Sequence, residues 1–161
     1  MKYRFLIPLA VSLLVMVLPA RAQSYTEYID SSFYYIDNGQ IDKAANALLQ
    51  ALRTEPGNPG NVLLLSNLGT LQRNMGRLTD ALQSYNNALA MSPKSLPLLY
   101  NRAALWAEMD SLQQAKEDYS RILFIDDKNE ESLYHRGLIF LELNDTASAR
   151  RDFERLLALN D

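Results

Sequence analysis

Val62–Ser95 reads VLLLSNLGTLQRNMGRLTDALQSYNNALAMSPKS, and this stretch decides the fold. In its first half Leu65, Leu68 and Gly69 fall on one face at helical spacing. After Gly76 a second amphipathic stretch carries Leu78, Ala81, Leu82, Tyr85, Ala88 and Leu89, and Pro93 closes it. Apolar positions recurring every three or four residues mark a helix buried along one side. Two such helices joined through a glycine predict a hairpin. The small residues Gly69 and Ala81 let the two approach closely, and bulk there would overpack the contact at a cost of about 1–3 kcal/mol.

The same layout recurs on either side. Ala81 belongs to an evenly spaced series, Ala44, Ala81, Ala115 and Ala149, with a slightly longer first step. Four residues after each stands Leu48, Tyr85, Tyr119 or Phe153; eight after, Leu52, Leu89, Leu123 or Leu157; twelve before, Ser32, Gly69, Ala103 or Gly137. A fixed period of about 34 residues signals stacked copies of one supersecondary unit, each roofing its neighbour's apolar face. Five residues before each alanine come Gly39, Gly76, Asp110 and Asn144. These residue types enter the left-handed backbone region that ends a helix tightly. Ser111 and Thr146 follow two of them and are expected to cap the next helix. Pro56 and Pro93 end the second helices, since proline cannot continue a helix, and Asp127 and Asp161 take that place later. The expected helix pairs are 25–38 with 41–54, 62–75 with 78–91, 96–109 with 112–125, and 130–143 with 146–159. The extra residues between units one and two fall in the turn-rich Gly57-Asn58-Pro59-Gly60-Asn61.

Residues 1–22 read differently. Lys2 and Arg4 precede an apolar run from Phe5 to Leu18, and Ala20-Arg21-Ala22 closes it. A positive start, a short apolar stretch and a small-x-small site predict a secretory signal peptide cleaved after Ala22. The alternative is a retained anchor, but the run is short of the roughly 20 residues that span a bilayer and contains Pro8. No cysteine follows it, which excludes a bacterial lipoprotein anchor. Removing Lys2, Arg4 and Arg21 from the 16 basic residues leaves 13 against 19 acidic ones, a net charge of −6. That balance disfavours nucleic acid, where affinity rests on Lys and Arg at phosphates. The chain has no cysteine, so stability rests on packing alone.

Enzyme constellations are missing. There is no cysteine nucleophile, no Gly-x-Ser-x-Gly, no Gly-rich phosphate loop, and His135 is the sole histidine. Zinc spacing cannot be assembled and no cofactor is expected. The acidic run Asp126–Glu131 lacks the alternating acids and central glycine of a calcium loop, and reads as a helix connection with acids in the next first turn. His135 reads as a solvated surface histidine in preference to a ligand-contacting one. Trp106, Phe140 and Tyr35 share one register position and read as packing. Asp110-Ser111-Leu112 and Asp145-Thr146-Ala147 look like acceptors of a bacterial periplasmic O-glycosylation system, although helix capping already explains them.

The units resemble the tetratricopeptide repeat family, whose pattern runs large-x2-Leu-Gly-x2-Tyr, Ala-x3-Phe, Pro. The matching residues are Tyr28, Ser31-Ser32, Tyr35, Ala44, Leu48 and Pro56; Leu65, Leu68-Gly69, Gln72, Ala81, Tyr85 and Pro93; Leu99, Arg102-Ala103, Trp106, Ala115 and Tyr119; and Leu133, Arg136-Gly137, Phe140, Ala149 and Phe153. Gln72 departs from the aromatic, and Arg102 and Arg136 replace the leucine, departures expected to loosen individual contacts. The resemblance implies an all-α fold, an α-solenoid of four stacked helix-turn-helix repeats (about 25–58, 62–95, 96–129 and 130–161) in a domain 23–161, wound as a right-handed superhelix.

It also implies a concave groove lined by first-helix positions. Carried over, these are Asp30, Phe33 and Asp37; Asn67, Thr70, Arg73 and Asn74; Tyr100, Asn101, Ala104 and Glu108; Glu131, Tyr134, His135 and Glu142. Asn67, Thr70, Arg73, Asn74, Tyr100, Asn101, Glu108, Tyr134 and His135 are the candidate partner contacts. The family's clamp for a terminal carboxylate is missing: in either register only one asparagine matches, Asn67 or Asn101, and no basic position does. Five acids against Arg73 favour a neutral or basic polypeptide segment. The expected function is an exported, periplasmic, non-enzymatic scaffold. The alternatives are a regulatory subunit of an envelope enzyme and, against the charge, a nucleic-acid-binding helical repeat. Self-association through the fourth repeat is expected, because Leu156 and Leu157 have no further helix to cover them.

Overall fold

The computed structural model describes residues 24–159; the leader assigned to 1–22 lies outside them. Among the described residues eight helices follow one another: α1 (Tyr25–Asp37), α2 (Ile41–Thr54), α3 (Asn61–Asn74), α4 (Leu78–Met91), α5 (Leu96–Glu108), α6 (Leu112–Ile125), α7 (Glu130–Glu142) and α8 (Thr146–Leu159). They pack most closely as α1 with α2, α3 with α4, α5 with α6 and α7 with α8, and each pair then stacks on the next. This is the four-repeat solenoid. Every first helix stops one residue before its expected end. Asn38, Met75, Met109 and Leu143 have left helical ψ while their N–H groups still bond back into the helix.

The turns within pairs are built alike. Gly39, Gly76, Asp110 and Asn144 have φ of 68°, 72°, 56° and 62°. The next residue's N–H then reaches back to the first helix: Gln40 to Tyr35 O, Arg77 to Gln72 O, Ser111 to Trp106 O and Asp145 to Phe140 O, each at 2.8 Å. This bond satisfies a carbonyl that the helix end would otherwise leave open. The capping expectation is corrected. The Ser111 hydroxyl turns to the Met109 carbonyl and makes no cap. Thr146 lies inside α8, and Asp145 one residue earlier accepts from the Ser148 N–H at 3.0 Å.

Packing follows the register of small and large residues. Ala44, Ala81, Ala115 and Ala149 are fully buried. A Cβ at Gly69 would stand 2.7 Å from the Tyr85 ring, and one at Gly137 2.7 Å from the Phe153 ring. Between units one and two, buried Asn61 ties the longer loop down. It accepts from the Tyr25 hydroxyl at 3.0 Å and donates to the Glu55 and Pro56 carbonyls at 2.7 and 3.1 Å.

Arg102 and Arg136 do not loosen the stack. Arg102 donates from Nε and Nη2 to both carboxylate oxygens of Asp118 at 2.7 Å, and from Nη1 to Asn86 Oδ1 at 2.7 Å. Arg136 copies the arrangement in the next repeat, with Asp152 at 2.7 Å and Ser120 Oγ at 3.1 Å. Asp118 and Asp152 are buried. A guanidinium fork matches a carboxylate in two parallel bonds, which is how a charge tolerates such a place. Each arginine joins its own first helix to its own second helix and to the second helix of the preceding repeat.

Candidate interaction groove

The first helices carry the candidate residues, and side chains link them across repeats. Arg73 on α3 forms an ion pair with Glu108 on α5, where these two first helices touch. The Tyr100 hydroxyl on α5 lies 3.0 Å from His135 Nε2 on α7. Thr70 Oγ1 and the Tyr85 hydroxyl are 3.0 Å apart, joining α3 to its own second helix.

His135 departs from expectation: it is not a solvated surface group. Its ring stacks on Tyr119 at 5.6 Å and 11°, meets Tyr100 edge-on at 5.7 Å and Tyr134 at 5.3 Å. Tyr134 in turn tilts against Phe153 at 6.3 Å. This aromatic cluster sits where units three and four join, with Tyr119 buried and Tyr134 exposed. Burial pushes the Tyr119 phenol well above its ordinary range, and burial followed by the nearby Glu131 raises Tyr100. Both therefore stay protonated and neutral at ordinary pH.

A cleft of about 290 Å³ opens beside the cluster, lined by Leu96, Pro97, Tyr100, Asn101, Ile122, Asn129 and Glu131. It brings Tyr100, Asn101 and Glu131 together, with a phenol, an amide and a carboxylate around an apolar floor. Asn67 and Asn74 stand on α3 and Tyr134 on α7, so the candidate set forms a line across three helices, not one pocket. Ile122 and Asn129 lie outside the carried-over set because they belong to a second helix and a connection. Only the asparagine before Glu130, a helix-start signal, points to Asn129, whose Oδ1 accepts from the Ser132 N–H at 3.0 Å.

The charges are one-sided. Arg73 is engaged by Glu108, while Asp30, Asp37, Glu131 and Glu142 are exposed. Among the described residues no cluster of His, Asp and Glu is arranged to hold a metal, and no helix is long and apolar enough to cross a membrane. The groove can thus offer amide bonding, flat aromatic surface and negative potential.

A tetratricopeptide repeat model matches residues 34–95 and again 66–130, and a second such model matches 131–160. The chain belongs to the tetratricopeptide repeat family. A tetratricopeptide repeat protein from Parabacteroides merdae is 40% identical, with a TM-score of 0.84 over 86% of this chain and 54% of that one. This tetratricopeptide repeat chain therefore spans about half of that relative's length. The MamA protein shares the fold at 21% identity and a TM-score of 0.76, covering 84% of this chain and 73% of MamA. The first tetratricopeptide repeat domain of Spaghetti, bound to the HSP90 peptide SRMEEVD, shares it at 22% identity and 0.66, covering 76% and 94%. No curated protein sequence matches this one.

Proposed function

We propose that the protein is an exported, non-enzymatic scaffold that binds a neutral or basic segment of a partner protein along its first-helix groove. The observation that carries this reading is the charge of that face: four exposed acids, with its one candidate cation already paired to Glu108. Asn101 can bond an extended backbone, while Tyr100 and Tyr134 give apolar area at small entropic cost. The rigid stack limits the ordering that binding must pay for. The peptide held by the Spaghetti domain, SRMEEVD, carries three acids among its last four residues, and this groove is expected to refuse such a sequence.

Export rests on the leader at 1–22, and intact-mass measurement of the chain recovered from the periplasm tests it. Self-association through the fourth repeat is supported by exposed Leu141 and Leu157. Light scattering at high micromolar concentration tests that part, and a strict monomer refutes it. For the groove itself, fluorescence anisotropy with a lysine-containing neutral-to-basic peptide and with SRMEEVD is the direct experiment. The basic peptide should bind and lose affinity on Asn101→Ala and on Glu131→Lys. Binding of SRMEEVD that disappears with Asn101→Ala would overturn the charge preference.

A further inference from the structure

The last turn of α6 carries Phe124, which is 91% exposed, followed by Ile125 at 44%. The repeat shows what stacking needs at this position. The register mates of Phe124 are Arg53, Ala90 and Ala158, so small or charged residues serve equally well. The aromatic ring contributes little to the fold of its own repeat, and its apolar area remains in water.

Phe124 does not stand alone. With Ile125, Pro93, Ser120 and the side chains of Lys94 and Arg121 it lines an open cleft of about 590 Å³. This cleft lies on the second helix and the α4–α5 connection and shares no residue with the cleft at Tyr100. Its rim is basic. Arg121 Nη2 donates to the Pro93 carbonyl at 3.1 Å, which fixes the guanidinium beside the patch. Arg121 also lies 3.3 Å from Asp118, but Arg102 already matches that carboxylate in two bonds at 2.7 Å. One carboxylate thus faces two guanidinium groups, and Arg121 leaves positive charge at the surface, with Lys94 adding a second.

An exposed aromatic anchor inside a cationic rim is the pattern of an interface hot spot awaiting its counterpart. Rim charge selects partners of opposite sign and speeds encounter. We infer that the Phe124 patch docks a second partner segment, one that presents a large apolar side chain flanked by Asp or Glu. The patch and the acidic groove then have opposite charge preferences and disjoint residues, so one molecule can hold two chemically different partners together.

The experiment uses the mature chain and a short fluorescein-labelled peptide with a Leu-Phe centre and Asp and Glu on both sides, read by anisotropy. Phe124→Ala should weaken binding at least about tenfold while leaving the melting curve unchanged, since alanine already stands at 90 and 158. Lys94→Glu should weaken binding and flatten its salt dependence, and Asn101→Ala should leave it intact. Binding indifferent to Phe124→Ala overturns the inference. Equal binding of the same peptide with Lys in place of its acids also overturns it. So does a dimer that vanishes with Phe124→Ala and that the peptide does not compete away, because the occupant would then be a second copy.

Discussion

Asp118→Ala is the most informative single perturbation of the stack. Wild-type Asp118 is 2% exposed and takes both forks of Arg102, whose side chain is itself only 16% exposed. Truncation leaves the guanidinium with Asn86 alone, in a place with little access to water. Removing one partner of a buried pair costs about 3–5 kcal/mol. The ion pair with Arg121, broken by the same truncation, is half in solvent and adds little. Against a total stability of about 5–15 kcal/mol, the single variant forfeits a large share. Repeat two points to the compensating change, because Leu68 and Ser84 occupy the positions of Arg102 and Asp118. Arg102→Leu with Asp118→Ala should therefore return to within about 1–2 kcal/mol of wild type, as apolar replacements of buried pairs do. Urea unfolding followed by far-UV circular dichroism reads both, and the slope must be compared because repeat arrays can lose one unit at a time. A single variant that loses less than about 1 kcal/mol, or a double variant no better than the single, refutes the assignment.

Three further outcomes follow from the packing. Gly69→Ala places a methyl group 2.7 Å from the buried Tyr85 ring, so overpacking of about 1–3 kcal/mol should exceed the helix-propensity gain of about 1 kcal/mol and lower the melting temperature. Ser132 is fully buried and its hydroxyl has no hydrogen-bond partner among the described residues. Ser132→Ala should then be neutral or raise stability by about 1 kcal/mol in the same urea assay. Burial raises the Tyr85 and Tyr119 phenols above their unfolded value of 10.0. Below that pH their stabilising effect is fully present. Above it the unfolded chain loses protons first, so urea midpoints should be level from about pH 7 to 9 and fall beyond pH 10, by at most about 1.4 kcal/mol per pH unit for each phenol.

Much of the fold is legible in the sequence because the repeat reports the same event four times. The alanine series locates every second helix, and Gly39, Gly76, Asp110 and Asn144 locate every left-handed turn. What the pattern hides are interactions whose two halves stand on different helices of a pair. An arginine in place of a leucine reads as a defect until Asp118 is seen opposite, because a repeat period records positions and not partners. His135 eludes the pattern for a related reason: its surroundings depend on Tyr119 from another helix, which no first-helix register contains. The groove's candidate residues are carried over by register, so their line across α3, α5 and α7 can be anticipated. The cleft at Ile122 and Asn129 cannot, since its wall comes from the neighbouring connection.

The two arginine forks sit only at the junctions of the second repeat with the third and of the third with the fourth. The junction before them has Leu68 in the corresponding place and no such rivet among the described residues. That first junction is held instead by apolar packing, with Leu48 and Ala51 in one buried cluster with Leu64, Leu68 and Leu71, and by Asn61, which accepts from the Tyr25 hydroxyl and donates to the Glu55 and Pro56 carbonyls. Tyr100, Asn101 and His135 stand in the two repeats that carry the forks, while Asp30 and Asp37 stand in the first repeat, on the far side of the apolar junction.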